Sequence, residues 1–351
     1  MPINQAKLDE FMGKALGEFG AAMNTALAII GEKCGLYKAM AGAGGLTPAE
    51  LAKRTGTAER YVREWLATQA AGGFVTFDAA TARFTLPDEH ALALADETSP
   101  YYLLGGYQVI LSMIRDEPKI AQAFRTGEGV AWGDHDPGLY EGTERFFRPN
   151  YNAHLVSEWI PALEGVQARL RRGARVADVG CGHGASTIIM AQAFPNSKFV
   201  GYDYHEPSIV WAHKAARQAG VADRVSFEVA ASTDYPGVDF DFVAFFDCLH
   251  DMGDPIAAAA HVRQSLARDG TWMIVEPFAN DRLQDNLNPV GRVYYSASTM
   301  ICVPASLAHD GMALGAQAGE ARLREVVTKG GFTRFRRAAQ TPFNLVLEAR
   351  P

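Results

Sequence analysis

Cysteine is scarce in this chain of 351 residues: four, at positions 34, 181, 248 and 302, with no C-x-x-C and no pairing with histidine at metal-ligand spacing. That scatter argues against a disulfide scaffold and against a metal site, so no metal is expected. The four read as reduced, small apolar residues of a cytosolic protein. Long apolar runs are also missing, and none approaches the roughly 20 residues of a membrane span. The opening "MPINQAKLDEFMGKALGEF" holds no apolar signal core, so the expected location is the cytoplasm, with no membrane partner. Positive charge is in deficit, 33 Lys and Arg against 40 Asp and Glu, for a formal net charge of -7. A broad electrostatic grip on nucleic acid or anionic lipid is therefore disfavoured, and small-molecule partners fit better. No internal repeat or low-complexity tract occurs.

What is present falls into three zones. The first, residues 1–95, opens with Leu8, Phe11, Met12, Ala15, Leu16 and Phe19 on one helical face, and a second apolar helix, "AAMNTALAIIGEKCGLYKAMA", follows. Thr47, Pro48 and Glu50 then spell a capping box. Helix, tight turn at 55–57, helix, and alternating segments 74–77 and 83–86 give the plan of a winged helix. Residues 96–170 are helical and rich in rings. Most of these rings read as core, and Trp132, Phe147 and Tyr151, with His154, are the candidates to line an acceptor pocket.

From residue 171 to 351 strand and helix alternate: "RVADVG", "KFVGYD", "RVSFEV", "FDFVAFFD" and "TWMIVEP" are separated by helices at 185–194, 206–219 and 255–268. This predicts an α/β domain with a parallel sheet covered on both faces. "FTRFRRAA" and "FNLVLEARP" read as a closing antiparallel pair. The connection of about 277–331, with Tyr294 and Tyr295, reads as a lid over the acceptor or as helices packing on a partner subunit.

In such a sheet the ligand lies at the carboxyl ends of the strands. "VADVGCGHGAS" places Gly180, Gly182 and Gly184 there, with Cys181 and His183 between them and Asp178 two residues ahead. His183 reads as facing solvent. The spacing departs from the dinucleotide G-x-G-x-x-G, and a carboxylate at 178 repels a pyrophosphate while attracting an ammonium or sulfonium. The second strand ends at Asp203, placed to take ribose hydroxyls, and Tyr204 follows as a surface for a purine face. Ser232 lies where an adenine edge would be read.

"VADVGCGHG" followed by "GYD" resembles motifs I and II of the class I S-adenosylmethionine-dependent methyltransferases over roughly residues 171–351. The front end is similar to that of small-molecule O-methyltransferases with an N-terminal winged-helix dimerisation domain. The resemblance implies a Rossmann-like seven-stranded sheet, S-adenosylmethionine as cofactor with S-adenosylhomocysteine as product, and a homodimer through the first domain. It also implies cofactor contacts from Asp178, Gly180, Cys181, Gly182, Asp203, Tyr204, Ser232 and Asp247. The stretch "FFDCLHDMGDP" matches the family's "HDWSD" at His250, Asp251 and Asp254, which implies that His250 is a general base next to Asp251; Met252 replaces the tryptophan. An imidazole with a pKa near 6.5 suits that role, although a capping or supporting role is the plainer alternative.

The competing readings are a ligand-sensing winged-helix transcription regulator, a nicotinamide oxidoreductase, and methyl transfer to nitrogen or carbon. Between residues 41 and 90 five basic residues face six acidic ones, so no basic face for DNA stands out and dimerisation is the better reading of that module.

Overall fold

A computed structural model describes residues 3–351, which form two compact units: residues up to 111 with 145–149, and residues 112–144 with 150–351.

The first unit begins with α1 (Gln5–Lys33) and α2 (Leu36–Met40). Where the sequence predicts two helices with a break near residue 20, α1 runs through as one helix of 29 residues. Gly13, Gly17 and Gly20 cost it about 1 kcal/mol each relative to alanine, but no proline or cap stops it. The periodic apolar face of its first half stays exposed, with Phe11 at 63%, Leu16 at 71% and Phe19 at 63%. Next come α3 (Pro48–Thr55), α4 (Glu59–Ala71), the hairpin β1 (Thr76–Asp78) with β2 (Arg83–Thr85), and α5 (Asp88–Leu94). The capping box forms as the sequence predicts: the Glu50 N–H donates to Thr47 Oγ1 at 3.3 Å and the Thr47 N–H to the Glu50 carboxylate at 2.8 Å. Trp65 anchors this core, meeting Tyr37 edge-on at 5.0 Å and lying where a Cβ on Gly31 would stand. The elements are those of a winged helix.

Further helices follow: α6 (Leu104–Arg115), α7 (Glu117–Thr126), α8 (Gly138–His154), α9 (Ile160–Ala162) and α10 (Val166–Arg172), with one π-helical turn at Leu155–Trp159. The second unit then alternates β3 (Arg175–Val179), α11 (Ala185–Ala193), β4 (Lys198–Asp203), α12 (Glu206–Gln218), β5 (Val225–Val229), β6 (Phe240–Phe246), α13 (Pro255–Ser265) and β7 (Leu266–Pro277). It ends with α14 (Pro289–Ala297), α15 (Val303–Leu307), α16 (Gly319–Lys329), β8 (Arg334–Gln340) and β9 (Asn344–Arg350).

The seven strands lie in the order β5-β4-β3-β6-β7-β9-β8, and only β9 runs against its neighbours. The chain leaves β3 toward β4 on one side and returns as β6 on the other, which opens a crevice at the carboxyl ends of β3 and β6. Phe245 and Trp272 meet edge-on at 5.0 Å within the core, and Phe332 closes over Trp272. Helices fill much of the 277–331 connection. Asn288 caps α14 by accepting from the Gly291 N–H, and Leu323 and Val327 of α16 belong to the sheet core.

Candidate active site

The glycine turn after β3 is shaped by backbone that side chains rarely adopt: φ is +74° at Gly180, +51° at Gly182 and +83° at Gly184. A Cβ on Gly180 would stand 2.7 Å from Cys248 Sγ, so the turn also packs tightly on the end of β6. Cys181 is buried, and its N–H and that of Gly180 both donate to the Tyr202 carbonyl, tying the turn to β4.

Asp178 is fully buried beneath this turn. Ser186 and Thr187, in the first turn of α11, each donate a hydroxyl to Oδ2 at 2.6 Å, while Oδ1 has no hydrogen-bond partner. Burial pushes the carboxyl up to about 6, and the two hydroxyls only partly offset it. A buried carboxylate oxygen without a donor invites a cation or a hydrogen-bond donor. At the end of β4, Asp203 accepts from the Gly182 N–H through Oδ2 and from the His205 N–H through Oδ1, both at 2.9 Å. These bonds aim the carboxylate while leaving each oxygen lone-pair capacity for hydroxyl donors.

Around Asp203 the same unit supplies a ring-lined wall. Tyr204 is half exposed and meets His309 edge-on at 5.7 Å. The carbonyl of the sequence-predicted Trp132 accepts from the Tyr140 hydroxyl, and the Tyr140 ring packs tilted against His205, beside Tyr204 in sequence, at 4.5 Å. Ser232 lies in the turn after β5, which is held beside β4 by the Ala230 N–H bond to the Asp203 carbonyl. His183 does not face open solvent as the sequence reading has it: its ring stacks on Trp211 at 5.2 Å, and burial lowers it to about 4, so it is neutral. It acts as an apolar brace for the turn.

The end of β6 carries the densest polar cluster. Asp247 adopts φ +51°, a conformation that costs a non-glycine residue of order 1 kcal/mol and recurs at functional sites. Tyr151 donates its hydroxyl to Asp247 Oδ2 at 2.9 Å, and Asn344 its amide to Oδ1 at 3.3 Å. Burial, with Glu276 nearby, pushes Asp247 up to about 7, and burial does the same for Asp251. His250 is buried on a short 3-10 turn: its Nδ1 lies 2.6 Å from Glu276 Oε2 and its Nε2 3.2 Å from Cys302 Sγ. Glu276 Oε1 accepts from the Leu249 N–H at 2.9 Å, so one carboxylate fixes both the turn and the ring. Burial opposes a charge on His250, but Glu276 and Cys302 outweigh it and lift the imidazole well above its ordinary value. Asp254 is the N-cap of α13, its Oδ1 accepting from the Ala257 N–H.

The other candidates have partners of their own, and Tyr294 also feels the Asp247 charge. Phe147 belongs to the first unit, where it meets Phe146 edge-on at 5.1 Å. His154 sits 3.2 Å from Glu158, one turn on, and stacks over Trp159. Tyr294 is buried and bonds the Phe343 carbonyl at 2.7 Å, while Tyr295 is half-buried on the same helix. Sequence reasoning missed Glu276, Cys302 and Asn344 as partners of the site. Only Glu276 left a signal, an acid closing the strand beside β6.

Residues 170–331 match the family model described as a methyltransferase domain, and residues 21–96 match the Rv2258c-like winged HTH domain. The chain therefore carries a winged helix-turn-helix domain and a methyltransferase domain, with the seven-stranded fold of the class I S-adenosylmethionine-dependent methyltransferases. Among solved structures it resembles mitomycin 7-O-methyltransferase, at TM-score 0.71 and 18% identity over 99% of this chain and 100% of the other. Human N-acetylserotonin methyltransferase in complex with S-adenosylmethionine gives TM-score 0.70 and 14% identity over 97% of both chains. At these identities the likeness is one of fold. In sequence, 126 residues are 41% identical to 27-O-demethylrifamycin SV methyltransferase of Amycolatopsis mediterranei, covering 35% of this chain and 40% of that protein. The chain spans less than half the length of the curated relatives it matches.

The residues present fit S-adenosylmethionine. The donor-less oxygen of Asp178 would suit its ammonium, the oriented carboxylate of Asp203 its ribose hydroxyls, and the half-exposed Tyr204 ring its adenine face. Among the described residues, no group of three or more His, Cys, Asp or Glu has the arrangement to hold a metal ion.

Proposed function

We propose that the protein transfers a methyl group from S-adenosylmethionine to a hydroxyl of a small aromatic or polyketide-like acceptor, with His250 taking the proton. When bound, the cofactor supplies a methyl carbon made electrophilic by its sulfonium. Asp178, Gly180, Cys181, Gly182, Asp203, Tyr204 and Ser232 position it, and Asp247 shapes the rim beside it. The observation that carries the reading is that the His250–Glu276 pair stands at the carboxyl end of β6, next to the Asp178 turn.

Displacement at a methyl group needs alignment above all, which rigid walls supply. A hydroxyl acceptor must in addition lose its proton, and His250 Nε2 accepts it while Glu276 holds the opposite edge of the ring. The neutral imidazole is the working form, and Glu276 and Cys302 hold its folded pKa well above the ordinary imidazole range, so the working fraction grows as pH rises past that range. Trp132 and Tyr151 wall the acceptor side from this unit; Tyr294 and Tyr295 are placed on α14. The relative named for 27-O-demethylrifamycin SV and the neighbour named a mitomycin 7-O-methyltransferase support an oxygen acceptor on a small natural product. We further assign the protein to the cytoplasm and the exposed face of α1 to a homodimer interface.

The test is His250→Ala assayed on a panel of phenols and hydroxylated metabolites. Transfer should fall by about 10²–10⁴-fold with cofactor binding unchanged. Equal turnover by variant and parent across about pH 6–9 removes His250 from the role.

A further inference from the structure

Cys302 is a nucleophile that the proposed reaction does not use. It ends the π-helical turn Ser298–Cys302, and such turns recur at functional sites. Its sulfur lies 3.2 Å from His250 Nε2, and the far nitrogen of that ring lies 2.6 Å from Glu276. Sulfur, imidazole and carboxylate thus form a nucleophile, base and orienting-acid series, all three residues buried. The other cysteines lack it. Burial pushes the thiols of Cys181 and Cys248 well above their ordinary value, and Cys34 is exposed at the end of α1.

We propose that Cys302 is a thiol-modification site for small disulfide-type oxidants, and that capping it silences the base it touches. The thiol proton moves to Nε2 of the neutral His250 ring, and the sulfur attacks the electrophilic sulfur of the oxidant. A new S–S bond forms, the old sulfur bond breaks, and the leaving group departs with the electron pair. The cap then occupies the ring edge that would otherwise receive the acceptor's proton. Modification at Cys302 stands on the geometry alone; the loss of transfer rests on the function proposed above.

Methyl methanethiosulfonate is a suitable probe, since its methylthio cap is small enough for a residue only 8% exposed and methanesulfinate leaves. Peptide mapping by mass spectrometry after timed exposure should show Cys302 modified at least tenfold faster than Cys181 or Cys248. In His250→Gln, checked for an unchanged melting curve, the Cys302 rate should fall at least tenfold while that of Cys34 holds. An unchanged Cys302 rate in that variant, or no labelling in the folded parent while Cys34 reacts to completion, overturns the proposal. Capped enzyme should lose transfer and regain it with dithiothreitol, and whatever transfer Cys302→Ala retains should be insensitive to the reagent. The labelling rates need no acceptor, and calorimetry with S-adenosylmethionine tests the transferase reading separately, so the two failures are distinguishable.

Discussion

Asp178→Asn is the sharpest perturbation of the cofactor site. Burial lifts the carboxyl from 3.8 to about 6. At roughly 1.4 kcal/mol per pH unit, ionising it in the fold costs about 3 kcal/mol more than in water. An ammonium at the donor-less Oδ1 offsets that cost, and the neutral amide offers it no charge. Calorimetry should therefore show S-adenosylmethionine and S-adenosylhomocysteine bound up to ~100-fold more weakly by the variant. Adenosine, which lacks the ammonium, should change little. The parent supplies a second readout with a definite sign. Its carboxyl is mostly ionised above about 6 and mostly protonated below, so affinity should drop about tenfold between pH 7 and pH 5. A melting curve on Asp178→Asn is needed as a control, since Ser186 and Thr187 lose a charged acceptor. Binding within threefold of the parent, or affinity flat across that pH range, refutes the assignment of Asp178 to the ammonium.

Glu276→Gln removes the charge that lifts His250, so the alkaline-rising limb of the transfer rate should move to lower pH, with the rate at its plateau reduced by about 10–100-fold; a profile of unchanged shape refutes the coupling. Leu16→Glu with Phe19→Lys on the exposed face of α1 should convert a dimer to a monomer in light scattering, and an unaltered mass, dimeric or monomeric, rejects that interface. Phe245→Ala empties a fully buried position against Trp272 and should cost about 3–5 kcal/mol in denaturant unfolding; a loss below about 1 kcal/mol contradicts the packing described.

Legibility differed with the range of the interaction. The capping box at Thr47, the turn at 180–184 and Asp203 at its strand end are local, and their signals lie within a few residues. The existence of the first five parallel strands followed from alternation, because a fully buried strand must be apolar along its length; their order in the sheet did not. Pairings across long separations were invisible: His250 with Cys302 lies 52 residues apart and Asp247 with Asn344 lies 97 apart. Nothing local marks Asn344 as different from any other amide before a strand. The extent of α1 was misjudged for the opposite reason, since its glycines signal a break that helix cooperativity overrides.

The placement of acids decides between the ligands that a glycine turn can serve. Asp178, Asp203, Asp247 and Asp251 all have their carboxyls raised by burial, and Glu276 is spent on His250. A buried carboxylate is normally compensated by a cation or by several donors. Asp178 has a fully buried oxygen with no donor, whereas Asp203 and Asp247 already take two bonds each. A pyrophosphate would bring further negative charge to that rim and leave the demand at Asp178 unmet. A ligand with an ammonium and a sulfonium meets it and lowers the ionisation cost of the neighbouring acids at the same time. The glycines alone are compatible with either ligand, and the carboxyls around them favour the cation.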